Sequence, residues 1–383
     1  MTRFALLTLL LSTTLSAQGV TDQEILLGQS CALKGQAAAL GTGMQTGLNV
    51  YFDKVNAAGG INGRQVKLVS VNDGYEPDRC VKAVKMLIEQ QKVFALIGGV
   101  GTPTAKVAVP VCTEAKVPFI AAFTGAELLR TPFNPYVVNM RASYFQETEA
   151  LASYLIDNNG KKRVACFYQD DAYGAAGLEG IKRALAKRNM ELVSTGNYKR
   201  NTLAVAEGLD SVAAGKPEAV LLIGAYAPCA QFMKQAKNNP SLAGATLCNI
   251  SFVGTNNLVE AAGSAGEGSL ISQCVPFPED ETIPVVKQYR ADMKKAGKQD
   301  EIGFISLEGY LAAKFFTEVA TKAGRNLTRD SLLAAVQGTY DLGGMVLTFD
   351  EKDSQGSDSV FLTTVQNGKV VSVPTTPSAA PGK

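Results

Sequence analysis

The chain has 383 residues, enough for two cores of ordinary domain size, and its 37 basic residues nearly balance 35 acidic ones. No long run of Lys or Arg occurs, so the sequence does not indicate nucleic-acid binding. The absence of His removes the usual general base, the Ser-His and Cys-His nucleophile pairs and most zinc sites. These features favour a binding protein over an enzyme, with no catalytic residue, metal or cofactor expected.

The amino terminus has the pattern of an export signal. Thr2-Arg3 is a short basic region, residues 4–11 are apolar, and residues 15–17 resemble a cleavage site of small residues. The segment is too short to span a bilayer. We predict a signal peptide over residues 1–17, removed near Ala17, and an exported chain.

Strand and helix patterns alternate through the first third of the chain. We predict a strand at 24–30, then a helix with Met44 and Leu48 on its apolar face. A second strand follows at 65–71, and a helix begins at Pro77. This order is typical of parallel α/β folds.

The fold prediction depends mainly on residues 94–124. An apolar run at 94–97 ends in glycines, a helix follows Thr102, and a second apolar run covers 117–123. This order predicts a βαβ unit of a buried parallel sheet. A similar pattern returns at 218–255. Two such units predict two similar lobes whose glycine-containing corners face one cleft, because ligand crevices lie at the carboxyl ends of parallel strands. The alternative is that both are ordinary turns of an α/β enzyme.

The rest of the chain continues the alternation. An extended connection with two prolines covers residues 130–143. Further predicted helices lie at 144–158, 176–188, 284–297 and 308–323, and further predicted strands at 162–168, 191–198, 268–276, 346–349 and 359–365. The tail, residues 374–383, is rich in Pro, Ala and Gly, so we expect it to be disordered.

The seven cysteines allow two candidate disulfides. An exported chain can oxidise its thiols, although the odd number leaves at least one unpaired. Cys248 and Cys274 lie in two predicted strands joined by one helical stretch, and Cys31 and Cys80 follow the first two strands. The alternative is that the cysteines are small buried apolar residues. No CxxC spacing indicates a metal or thioredoxin-like site.

Four short motifs together carry a family likeness: NAAGGINGR at 56–64, FYQDDAYG at 167–174, SLEGYLAAK at 306–314 and the Thr-Arg-Asp helix start at Thr328. The chain resembles the solute-binding proteins of ABC importers of the branched-chain amino acid (Leu/Ile/Val-binding) type over roughly residues 22–372. The resemblance implies the type I periplasmic binding fold. This is an α/β fold of two Rossmann-like lobes joined by a three-strand hinge with an interlobe cleft.

The resemblance also implies the lobe boundaries and the partners of the protein. Crossings between lobes are expected near Ala142, Val275 and Thr339. Lobe 1 is then residues 22–141 plus 276–338, and lobe 2 is residues 142–275 plus 339–373. A small-molecule ligand would be captured in the periplasm and delivered to an ABC permease in the inner membrane, with the binding protein acting as a monomer.

Several residues match ligand-binding positions of the family. Thr102 also stands at a helix start, where free N–H groups favour an anion, and a simple capping role is the alternative. For tyrosines at strand ends, packing is the alternative to ligand contact. The ligand-binding set that we predict is Thr102, Thr104, Phe123, Thr124, Gly125, Tyr144, Tyr173, Tyr226 and Asn256.

One family position departs from the pattern. Amino-acid binders of this family place an acid soon after the strand corresponding to 249–253, where it pairs with the ligand's ammonium. Here that position is Thr255 or Asn256, and neither is charged. An ammonium buried without a carboxylate is costly, unless Asp73, Asp170 or Asp171 substitutes.

The ligand is therefore expected to be amino-acid-like or, equally, an apolar compound such as an aromatic acid or a lipid-like molecule. A ligand-sensing domain is a further alternative. A secreted α/β hydrolase is less favoured, because the chain has neither a G-x-S-x-G motif nor a P-loop.

Overall fold

The computed structural model describes residues 18–373 of the chain. The predicted signal peptide and the predicted tail lie outside the described residues. Among those described, no helix is long and apolar enough to cross a membrane.

The first sheet is entirely parallel and has five strands. In chain order these are β1 (Glu24–Cys31), β2 (Gln65–Asn72), β3 (Ala95–Ile97), β4 (Phe119–Ile120) and β5 (Val137–Val138), arranged as β2-β1-β3-β4-β5. β1 and β2 pair along their whole lengths, from Glu24 beside Gln65 to Cys31 beside Asn72.

The second sheet has seven strands in the order β14-β13-β10-β9-β8-β6-β7. They are β6 (Val164–Gln169), β7 (Ser194–Tyr198), β8 (Ala219–Ile223), β9 (Thr246–Asn249), β10 (Leu270–Gln273), β13 (Phe361–Gln366) and β14 (Lys369–Ser372). β13 and β14 join the sheet antiparallel, and the other pairs are parallel. All five residues of β8 are buried, as its unbroken apolar sequence predicts.

Eleven α-helices within the described residues pack around these sheets. They are α1 (Ala38–Ala57), α2 (Pro77–Glu89), α3 (Thr102–Glu114), α4 (Tyr144–Ala152), α5 (Ala172–Ala186), α6 (Ala206–Ala214), α7 (Tyr226–Ala236), α8 (Thr255–Ala262), α9 (Pro284–Lys295), α10 (Phe304–Ala323) and α11 (Arg329–Val336). A π-helical stretch, Ser153–Asn158, continues α4, and short 3-10 turns occur at Glu127–Leu129, Ser251–Val253, Gly263–Gly266 and Gln299–Glu301.

Each sheet with its helices forms one lobe, so the predicted two-lobe α/β fold is confirmed. The first lobe contains the first sheet, and α10 packs against α1 within it. The second lobe contains the second sheet. The exact bounds of the lobes stay predictions, apart from one region.

The carboxyl-terminal hairpin lies with the first lobe rather than the second. Its strands are β11 (Gly338–Asp341) and β12 (Val346–Phe349). The rings of Tyr340 and Phe349 pack 5.3 and 5.2 Å from the ring of Phe315 in α10. The chain therefore leaves the first lobe after β12, where residues 354–356 pair with Asn139, and not near Thr339 as we expected.

All seven cysteines are buried free thiols, so neither Cys248–Cys274 nor Cys31–Cys80 is bonded in the structure. The sulfur of Cys274 lies 3.4 Å from Nη2 of Arg141, and that of Cys80 lies 3.5 Å from the hydroxyl of Ser30. Burial raises the pKa of both Cys80 and Cys274 to about 12. The cysteines thus fill the core as small apolar residues, which was the alternative interpretation.

Candidate ligand-binding site

The loop after β3 brings two predicted site residues together. Gly101 precedes α3 with φ at +100°, and a Cβ there would lie 2.1 Å from the ring of Tyr75, so only glycine fits. Thr102 is the first residue of α3, and its hydroxyl lies 2.7 Å from that of Thr124. Both threonines are fully buried. The hydroxyl of Thr102 therefore bonds a neighbouring loop rather than capping its own helix.

Two other predicted residues have local structural roles. The hydroxyl of Thr104 donates to the carbonyls of Val100 and Gly101, so it fixes the start of α3. A Cβ on Gly125 would lie 2.6 Å from Cδ1 of Tyr144, so this glycine allows Tyr144 to pack against the loop. The hydroxyl proton of Thr104 is therefore engaged within the protein, and Gly125 has no side chain to offer.

An aromatic cluster joins the two lobes beside the threonine pair. We use this name for Tyr75, Phe123, Tyr144, Tyr173 and Phe252, all of which are buried. The ring of Phe252 lies 4.5 Å from Tyr173, 5.4 Å from Phe123 and 5.9 Å from Tyr75, and Tyr144 lies 5.5 Å from Tyr173. The structure thus brings the predicted Phe123, Tyr144 and Tyr173 together.

One hydroxyl group of the aromatic cluster, that of Tyr173, has no hydrogen-bond partner among the described residues, and its side chain is entirely buried. The hydroxyl of Tyr144 lies beside those of Thr124 and Thr102. Burial raises the pKa of Tyr144 to about 12, against the opposing effect of Arg141 and of the nearby Thr124 and Thr102 hydroxyls. An unpaired buried hydroxyl costs roughly 1–3 kcal/mol. Such groups are rare in folded proteins, so the hydroxyl of Tyr173 is a candidate partner for a bound molecule.

The three candidate acids for a ligand ammonium are engaged elsewhere or exposed. Asp73 accepts from the hydroxyl of Ser30 at 2.7 Å and from the amide of Tyr75 at 2.8 Å. Asp171 accepts from Arg200 at 2.9 Å and caps α5 through the amides of residues 173 and 174. Asp170 is exposed.

The structure contains a buried ion cluster at the hinge that we did not predict from the sequence. Arg141 lies 3.3 Å from the carboxylate of Glu147 in α4 and 3.4 Å from that of Glu308 in α10, so it ties the second lobe to the first. Burial raises the pKa of Glu308 to about 7, although Arg141 opposes the shift, and Glu147 adds to it. We call these three residues the hinge cluster. The guanidinium also lies 4.8 Å over the ring of Phe123, next to the aromatic cluster.

The signals for this cluster were present in the sequence. Arg141 ends the extended connection, and Glu308 lies within the SLEGYLAAK motif, in a segment that is otherwise strongly apolar. A charge in such a segment predicts a buried partner.

Tyr226 and Asn256 lie at the margin of the site and contact the opposite lobe. The hydroxyl of Tyr226 accepts from the amide of Ala39 at 3.5 Å. Asn256 is exposed, donates to the carbonyl of Ile302 at 3.4 Å, and lines an open groove of about 650 Å³ outside the aromatic cluster. These two predicted residues therefore do not converge with the threonine pair.

A polar bridge closes another side of the interface. Arg200 of the second lobe donates to Glu76 of the first lobe at 2.8 Å, and Asn201 donates to the same carboxylate at 2.7 Å. The lobes are thus in a closed arrangement, with polar contacts around a buried aromatic centre.

This arrangement defines a class of protein. Its two α/β lobes, which close on a shared buried site, are those of a solute-binding protein with the type I periplasmic binding fold. Residues 24–369 match the family model described as periplasmic binding protein. The chain belongs to this family and is of its branched-chain amino acid type, as the motifs predicted.

Known proteins of similar sequence and structure agree with this assignment. A possible leucine/isoleucine/valine-binding protein from Rhodopirellula baltica SH 1 is 33% identical, with 92% of this chain and 97% of that chain covered and a TM-score of 0.88. Leu/Ile/Val-binding protein homolog 7 of Brucella abortus (strain 2308) is 22% identical, with 91% of each chain covered. A fatty acid ABC transporter substrate-binding protein from Thermomonospora curvata shares the fold, with 22% identity, a TM-score of 0.83 and coverage of 94% and 93%.

Proposed function

We propose that the protein is the periplasmic solute-binding component of an ABC importer. It captures a small apolar or amino-acid-like ligand between its lobes and delivers that ligand to a permease in the inner membrane. The observation that carries the proposal is the buried, unpartnered hydroxyl of Tyr173 in the aromatic cluster, which joins the lobes beside the threonine pair. A guest molecule would supply the partner that the protein lacks.

The interlobe contacts explain how binding would be signalled. The bridge from Arg200 to Glu76 and the packing of Phe252 against Tyr75 and Phe123 join groups of different lobes. A ligand that touches both walls adds its contacts only when the lobes are together, so it shifts the population towards the closed form. The permease would recognise that form.

The transport role draws on two further supports. The predicted signal peptide supports export of the chain to the periplasm. A protein of the same fold carries the name of an ABC transporter component. With no His in the chain, we propose that the ligand is bound and released unchanged, and that the protein is not an enzyme.

A thermal-shift screen tests the proposal. Ligand-free protein is heated with leucine, valine, aromatic acids and fatty acids, because a ligand that binds only the folded state raises Tm by mass action. Thr102→Ala and Tyr173→Phe should each weaken binding of any hit without unfolding the protein. Thr317→Ala is the matched control, because its hydroxyl bonds a carbonyl of its own helix, far from the cleft.

Two results would count against the proposal. If a ligand binds and neither cleft variant changes its affinity, the site is elsewhere. If no solute in the screen stabilises the protein and none is extracted from purified material, the solute-binding role is wrong.

A further inference from the structure

We propose that the carboxyl-terminal tail, residues 374–383, docks in a groove between the two lobes and holds the lobes together. This interaction lies outside the ligand-binding site and does not depend on the proposed function. Three features support it: a groove with a wall from each lobe, the point at which the chain leaves the second sheet, and the match between the sequence of the tail and the lining of the groove.

The groove lies on one flank of the interface between the lobes, and we call it the flank groove. Its volume is about 650 Å³. Residues 277–279 and 302–304 of the first lobe form one wall, and α8 and β14 of the second lobe form the other. The side chain of Asn256 in α8 connects the walls by donating to the carbonyl of Ile302 at 3.4 Å. A segment bound in the flank groove therefore contacts both lobes only when they are closed.

The chain leaves the second sheet beside the flank groove. Val373 donates its amide to the carbonyl of Leu362 at 2.9 Å, so the start of the tail is fixed on the sheet. Val373 also lines a smaller cavity of about 70 Å³, together with Phe277, Phe304 and Phe361. Because Phe277 and Phe304 line the flank groove as well, the tail begins where the cavity and the groove adjoin.

The surface next to the start of the tail is apolar, and the described residues leave it uncovered. Phe361 is 42% exposed, and Val370 and Val371 of β14 are half-buried. The ring of Phe277 lies 5.8 Å from that of Phe304 and continues this surface onto the first lobe. Within the described part of the chain, β14 is the edge strand of its sheet and pairs only with β13. Proteins usually cover or protect such an edge.

The sequence of the tail is suited to such a surface. Three of its ten residues are prolines, and Pro374 and Pro377 have the P-x-x-P spacing. This spacing favours a polyproline II helix with three residues per turn, which places both prolines on one face. Segments of this kind dock in grooves lined by aromatic rings. Ten residues in this conformation span about 31 Å, more than the roughly 13 Å of β14 along one side of the groove.

Charge provides a second match between the tail and the flank groove. Glu260 and Glu279 on the rim are exposed and form no ion pair with the rest of the described chain. Lys369 is the one basic residue of the lining, and Asp300 extends the acidic rim into an adjoining groove. The only charged side chain of the tail, that of Lys383, is positive. Because a single exposed ion pair is weak, the rim orients the tail and the aromatic lining supplies most of the binding.

A docked tail favours the closed arrangement of the lobes. Its attachment at Val373 gives it a roughly millimolar effective concentration at the flank groove, so even weak contacts keep it docked. Since the contacts with both walls form only when the lobes are together, the tail shifts the population towards the closed form before any solute binds.

Hydrogen–deuterium exchange on the ligand-free protein tests the proposal. The mature chain, residues 18–383, is compared with a truncated chain that ends at Val373. We expect residues 275–280 and 300–305 to exchange about tenfold faster without the tail, because a tail that is docked about nine-tenths of the time slows exchange by that factor. These segments belong to the first lobe, so fraying of β14 after the deletion does not explain a change in them. The truncated chain should also have a larger radius of gyration by small-angle X-ray scattering.

Two further samples control for the length and the sequence of the tail. A full-length variant with Pro374→Gly, Pro377→Gly and Lys383→Glu should exchange like the truncated chain, although its tail has the same length. A synthetic peptide of residues 374–383, added to the truncated chain at roughly millimolar concentration, should restore the protection. A peptide with the same three substitutions should not.

Three results would overturn the proposal. The first is equal exchange of the first-lobe segments in the full-length and truncated chains. The second is protection that increases with protein concentration, because the groove would then bind a second copy of the chain. The third is an unchanged radius of gyration in the truncated chain, because the tail would then not hold the lobes together. None of these measurements uses a solute, so their failure leaves the proposed function standing.

Discussion

Replacing Glu308 with glutamine should stabilise the protein at pH 8, although it removes one side of an ion pair. The carboxyl binds its proton with a pKa of about 7 in the folded chain, because of burial and in spite of Arg141, against the ordinary value of 4.5. At pH 8 the folded state therefore contains an ionised group that it accommodates poorly. The difference between the two pKa values corresponds to about 3 kcal/mol in the free energy of unfolding.

The sign of the pH dependence follows from the same two values. Below pH 4.5 the carboxyl is protonated in both the folded and the unfolded state, and its favourable contribution to stability is complete. Between pH 4.5 and 7 the unfolded chain releases the proton first, so the free energy of unfolding falls by up to about 3 kcal/mol. Above pH 7 both states are ionised and the loss is complete. Because the chain has no His, no imidazole titrates in this window.

Urea denaturation followed by circular dichroism at pH 5, 6, 7 and 8 measures the effect. Glu308→Gln should remove most of the decline seen in the wild type and should be the more stable protein at pH 8. Glu179→Gln is the control, because Glu179 is exposed in its pair with Arg183, and it should change stability by less than about 1 kcal/mol. A Glu308→Gln variant that is less stable at pH 8, with an unchanged pH profile, would refute the reasoning.

Three further predictions concern the cleft, the interlobe bridge and the thiols. Tyr173→Phe should keep or raise the Tm of the ligand-free protein, because it removes an unpartnered buried hydroxyl. It should also weaken ligand binding about tenfold; a clear drop in ligand-free Tm would mean that the hydroxyl has a partner within the protein. Arg200→Glu should open the lobes of the ligand-free protein, which small-angle X-ray scattering would measure as a larger radius of gyration. Adding Glu76→Arg should partly reverse this increase. An unchanged radius in the single variant would exclude a role for the bridge in holding the lobes together. The mature protein should react with no thiol reagent when folded and should give seven thiols when denatured without reductant, whereas a count of five or three would reveal disulfides.

The fold could be predicted because buried parallel strands must be apolar whatever surrounds them. The run at 219–223 forms a fully buried strand, as its composition required. The hairpin at 338–349 was assigned to the wrong lobe, because the sequence pattern of its strands does not show which core they pack against. Its alternating pattern indicates that one face is buried, but only the long-range contact with Phe315 decides which core receives that face.

The contact between Thr102 and Thr124 could be predicted, because a local motif fixes its geometry. Thr102 and Thr124 each follow a strand of the first sheet, so neighbouring parallel strands bring them together. The hinge cluster was missed because Arg141, Glu147 and Glu308 come from separate elements and meet only when both lobes are folded. The disulfide predictions failed similarly, since spacing along strands does not determine whether two sulfurs face each other.

The central claim is that a guest is held between the two lobes, and hydrogen–deuterium exchange tests it most directly. The solute that stabilises the protein most is added, and exchange is compared with and without it. We expect new protection in both walls at once, in residues 98–104 and 122–125 of the first lobe and residues 169–175 and 249–255 of the second. Protection confined to one lobe, or found only outside these segments, would contradict the account.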